Sequence, residues 1–173
     1  MASNVRMGSA AACLAALVLS SVACGPADNT LGGSVSELFP LEVSRVDVLR
    51  NDQALQVSYY NNNGTELDLV LQLTVALQDV TFEKGAKIPL QGEYAPGHQR
   101  TTVVHFAGGE PRRQLPNVST GDLVIDEGGG IDEQTRGNFS MSFEQHGEFG
   151  SGRNVNGAFN AVARDGGFGD LVE

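Results

Sequence analysis

The chain has 173 residues, with 11 Lys+Arg against 21 Asp+Glu and a formal net charge of −10. That sign repels nucleic acid, whose binding needs basic surface to displace counterions, and it gives no attraction to anionic membrane, so nucleic acid is excluded as a partner. Three histidines, two cysteines and no tryptophan leave little material for a zinc site, a disulfide framework or an aromatic sugar-binding platform.

The first nine residues carry one charge, Arg6, and Ala10–Ala23 is apolar except for Ser20 and Ser21. A spanning helix needs roughly 20 apolar residues, so this run suits the core of a signal segment instead. Ser21-Val22-Ala23 offers the small residues an ordinary signal peptidase reads. The same stretch, Leu19-Ser20-Ser21-Val22-Ala23-Cys24-Gly25, resembles the lipobox of bacterial lipoprotein precursors, with Ser21 where an aliphatic residue is usual. The resemblance implies that Cys24 becomes the lipid-bearing first residue of the mature protein. Gly25 after it, in place of Asp, implies sorting to the outer membrane. Cysteine usage supports this reading: Cys13 lies inside the apolar run, and no cysteine follows Cys24. An unpaired terminal thiol is an oddity in an oxidising compartment, and lipidation gives it a role. Without the first 23 residues and their single base the net charge is −11.

Residues 24–36 are polar and rich in glycine, which predicts a flexible tether. From residue 37 to 173 no second linker or repeat is visible, so a single domain is expected. Leu41–Val48 reads as a strand with an irregularity at Ser44-Arg45, Asn51-Asp52 as a turn, and Ala54–Tyr60 as the returning strand. Leu67, Leu69, Leu71, Leu73, Val75 and Leu77 then hold one face of a strand long enough to invite a bulge. Further strands are expected at Lys87–Gln91, Thr101–Phe106, Gly121–Asp126, Asn138–Gln145 and Asn154–Arg164. In the last two, Phe139, Met141 and Phe143 share a face, as do Val155, Gly157, Phe159, Ala161 and Ala163. Fourteen of the 22 glycines lie from Gly108 onward, the mark of a turn-rich second half. About eight short strands with half-polar faces predict an all-β fold, an antiparallel β-sandwich, with a small closed β-barrel as the alternative.

Few residues point to chemistry. Asp126, Glu127, Asp132 and Glu133 flank a glycine run and could gather oxygen ligands for Ca²⁺, but their spacing matches no calcium loop, and the glycines resist ordering. Asn61–Asp68 is a weaker echo that a hairpin tip explains. His98, His105 and His146 lack ligand spacing, and His105 reads as a surface or edge residue of its strand. There is no Gly-x-Ser-x-Gly elbow. Arg112-Arg113 is a basic spot suited to a solvated loop. Tyr59 and Tyr60 point to opposite faces, so one of them belongs in the core. The Asn-x-Ser/Thr triplets at Asn63, Asn117 and Asn138 read as chance matches in a bacterial protein. No catalytic residue, metal ligand or cofactor is assigned; the site residue is Cys24.

These readings converge on a non-catalytic, lipid-anchored cell-envelope protein. Its partners are the membrane, through the N-terminal lipid, and another envelope protein or polymer. An envelope hydrolase with a non-contiguous site and a calcium-dependent module at residues 126–133 are the alternatives.

Overall fold

Two-residue alternation dictates the backbone throughout the molecule. The computed structural model describes residues 29–62, 67–128, 130–149 and 152–166; the signal segment and Cys24 lie outside them. The described residues form strands, turns and two short 3₁₀ turns, with no α-helix. No helix among them is long and apolar enough to cross a membrane.

In chain order the strands are β1 (Thr30–Gly32), β2 (Arg45–Arg50), β3 (Ala54–Asn62), β4 (Leu67–Ala76), β5 (Lys87–Pro89), β6 (Glu93–Ala95), β7 (His98–Gln99), β8 (Thr101–Phe106), β9 (Arg113–Gln114), β10 (Val118–Gly128), β11 (Gln134–Phe143) and β12 (Asn154–Asp165). Each of the eight expected strands is present, and the first starts at Arg45 rather than Leu41. The four additional ones, β1, β6, β7 and β9, are two or three residues long, too short to show an alternation.

Ten strands form one sheet in the order β5-β10-β11-β12-β2-β3-β4-β8-β9, with β1 also paired to β12. The sheet is mixed and curled into an open half-barrel, which corrects the expectation of purely antiparallel pairing. Ala163–Asp165 of β12 run parallel to Val48–Arg50 of β2, while the same edge of β12 pairs antiparallel with β1 further back. The chain therefore reverses between β1 and β2 and rejoins β12 in the opposite sense. The path ends at β5 and β9, so the closed-barrel alternative does not hold among the described residues.

The curl brings the two halves of the sheet together. Leu55, Val57 and Tyr59 of β3, Leu71, Leu73 and Val75 of β4, and Leu123 and Ile125 of β10 are fully buried in a common core with Phe139, Val155 and Phe159. Tyr59 packs its ring edgewise on Phe139, centroids 6.1 Å apart, and its hydroxyl donates to the Ala158 carbonyl at 3.0 Å. Burial pushes the Tyr59 phenol pKa up. Tyr60, on the other face, lies beneath the Arg45 guanidinium at 4.6 Å.

The long strand β4 carries the anticipated irregularity. Tyr59 pairs with Leu71 and Tyr60 with Leu69, so Val70 is the extra residue of a β-bulge. Past this point the phase slips, and Val70 is buried in the core while Leu69 is half-buried.

The tether expected at residues 24–36 is corrected from Asn29 onward. Thr30–Gly32 pair with Asn156–Ala158, and Val35 is fully buried. Gly33 is left-handed at φ 124°, and a Cβ there would lie 2.5 Å from the Asn154 carbonyl oxygen. Gly33, which reads as linker in the sequence, is a close-packed residue of the fold.

Candidate functional site

The end of β8 builds the most distinctive polar constellation. Along β8, Thr101, Val103 and His105 fall on one side by period two, and all three are buried. His105 is 9% exposed. Its ring stacks on Phe39, centroids 3.8 Å apart and 13° from parallel. Its Nδ1 lies 2.8 Å from the carbonyl oxygen of Val70, the bulged residue of β4. A carbonyl only accepts, so Nδ1 carries the proton in this contact. Nε2 has no hydrogen-bond partner among the described residues, and it is not among the buried polar atoms left without one. Nε2 is therefore accessible to solvent, and His105 lines the adjoining cleft.

That cleft has a volume of about 310 Å³. Leu38, Phe39, Pro40, Val70 and Ala107 supply its apolar wall, and Glu42, Asp68, Glu110 and Arg113 its charged rim. The Asp68 carboxylate accepts from the Gly108 amide at 2.6 Å. Arg113 is held by an ion pair with Glu148 and sits over the Phe149 ring at 5.7 Å. Arg113 also borders a wider cleft of about 620 Å³ that includes Glu148, Phe149 and the exposed His146.

No protein-family model, curated protein or solved structure matches this chain. The function must therefore be argued from these side chains and from the sequence.

The residues singled out by sequence take other places. Cys24 lies outside the described residues. Of the acidic group, Asp126 accepts from the Asn138 side-chain amide at 3.0 Å. Glu133 closes its own turn by accepting from the Gly130 amide at 2.7 Å. Asp132 is left-handed at φ 65° and donates its amide to Ala163 at 2.7 Å. The Asp126 and Glu133 carboxylates are thus engaged locally, and no three His, Cys, Asp or Glu among the described residues form a group that could hold one ion. His98 lies beside Tyr94, centroids 5.8 Å apart, and does not meet the other two histidines. Arg112 donates to Gln72 at 3.1 Å and Arg113 pairs with Glu148, and both arginines stay exposed, so the Arg112-Arg113 spot is solvated as expected while also being partnered.

The expected surface placement of His105 is the reading that the structure overturns. The signal was present: His105 stands two residues beyond Val103, on its side of the strand. The Phe39 stack and the Val70 carbonyl come from segments 66 and 35 positions away, which no local pattern conveys.

Proposed function

We propose that this chain is a lipid-anchored protein of the cell envelope, attached at Cys24 and sorted to the outer membrane. Its β domain, which we read as a sandwich of two facing layers joined through β12, binds or supports another envelope component rather than transforming a substrate. The observation that carries the proposal is Cys24 itself, the last cysteine of the chain, standing at the end of a signal-like apolar run. Asn29, five positions after the proposed attachment point, accepts from the Asn160 amide at 2.8 Å and so ties this end of the described chain to β12. The rim of the His105 cleft, rich in hydrogen-bond acceptors over an apolar wall, has the composition of a binding site.

Metabolic labelling with a fatty acid tests the anchor. Wild type is expected to incorporate label and sediment with membranes, and Cys24→Ala to lose both. An unlabelled wild type whose mature N-terminus is a free cysteine would overturn the proposal.

A further inference from the structure

We propose that the His105 cleft binds a small aliphatic amine in its ammonium form. The proposal stands on the cleft alone and does not require the lipid anchor. Three features select this chemistry. First, with Nδ1–H given to the Val70 carbonyl, Nε2 of the neutral His105 ring is an acceptor with no partner among the described residues, on a side chain nine-tenths buried. Its orientation is locked by the Phe39 stack and the Val70 carbonyl, so it cannot turn away to find another donor. Second, the carboxylates of Glu42 and Glu110 border the same cleft without a hydrogen bond or ion pair among the described residues. Asp68 adds a third negative charge to the lining, and the one Lys or Arg among the described residues that line the cleft, Arg113, is paired with Glu148. Third, the wall between these groups is apolar.

A primary ammonium carries three N–H donors and a positive charge, and its carbon chain suits the Phe39 and Val70 side of the wall. An anion would meet the carboxylates and be repelled. A bare metal ion needs ligands closer together than His105 and these carboxylates are. The volume of about 310 Å³ lies at the low end for ligand pockets, which favours a short chain.

Calorimetric titration of the full-length chain in non-ionic detergent tests the site with n-butylammonium and 1,4-diaminobutane as probes, and butyrate and butanol as controls. Both amines are expected to bind saturably, with weaker binding at high salt, and the controls are not. Glu42→Gln combined with Glu110→Gln changes two exposed rim residues whose side chains make no hydrogen bond or ion pair among the described residues, so the fold should be retained and amine affinity should fall about tenfold or more. His105→Phe keeps a ring to stack on Phe39 while removing the acceptor, and should weaken binding comparably. Failure of either amine to saturate below about 10 mM, equal binding of butyrate, or undiminished affinity in the double-Gln variant would each overturn the proposal.

Discussion

At the scale of single residues, the interior is set by contacts that leave no room for a methyl group. Gly137 pairs with Phe159 and Gly157 with Phe139 across β11 and β12, so each ring lies over the glycine of the opposite strand. A Cβ on Gly157 would stand 2.7 Å from the Phe139 ring, and one on Gly137 would stand 2.8 Å from the Phe159 ring. Covering a strand glycine with a cross-strand aromatic ring is a device that also pins register. Gly157→Ala is therefore expected to lower stability by about 1–3 kcal/mol through overpacking, read as an earlier midpoint in urea. An unchanged midpoint would show that the rings move aside freely. Tyr59 gives a second test, with a defined sign. Its buried phenol is held neutral far above the ordinary tyrosine range, whereas the unfolded chain ionises near pH ~10. Above that pH the unfolded state binds fewer protons than the folded one, so stability is full below about pH 10 and declines as pH rises. Tyr59→Phe loses the bond to Ala158 and about 1 kcal/mol at neutral pH. It should then show a shallower alkaline decline than wild type, measured by urea midpoints at successive pH values. Period two already assigned Tyr59 or Tyr60 to the core, and it sets His105 on the side of Val103, though Val104 on the other side is buried as well. The unbonded Nε2 was not legible, because it depends on three segments meeting.

At the scale of elements, long strands were readable and short ones were not. Leu71, Leu73 and Val75 alternate in sequence and are all fully buried, because nothing but a strand puts them on one side. Their intervening neighbours read as a half-polar face, yet Gln72 and Thr74 are buried as well. The Gln56 side-chain amide donates to the Thr74 hydroxyl at 3.1 Å, satisfying part of that buried polar layer. The N-terminal edge is where composition misleads most. Gly32-Gly33-Ser34 looks like linker, but Val35 is fully buried in the core. The Arg153 guanidinium reaches across to Glu37 at 2.7 Å and to the Ser34 carbonyl at 2.9 Å. Val35→Asp places an unpaired charge in the core and is expected to cost several kcal/mol, enough to unfold a domain of ordinary stability. Ser36→Asp, one position on and exposed, should change little. Circular dichroism melts of both variants check this, and equal tolerance would restore the tether reading.

At the scale of the whole molecule, the short stretch between Cys24 and Asn29 would limit how far the domain can stand from a lipid attached at Cys24. Asn29 is five positions beyond Cys24, and a fully extended chain covers at most about 3.6 Å per step, or roughly 18 Å. Asn29 is fixed to Asn160, and Val162 lies two residues further along β12, about 7 Å away at strand spacing. Val162 is 48% exposed, so if Cys24 carries the lipid, this side chain should lie near the bilayer. The chain contains no tryptophan, so Val162→Trp gives a single emitter without background. In vesicles holding the lipidated protein, brominated lipids are expected to quench that emission. Inserting about twenty Gly and Ser residues behind Gly25 adds a root-mean-square span of roughly 25 Å and should relieve most of the quenching, with the fold unchanged by circular dichroism. The net charge of −11 on the chain from Cys24 onward acts in the same direction once the linker is long, because it repels the domain from anionic lipid. Quenching should then be weaker in anionic than in neutral vesicles for the extended variant, and nearly equal for the short one. Absence of quenching in the short-linker protein, with fatty-acid labelling of Cys24 intact, would show that β12 faces away from the membrane.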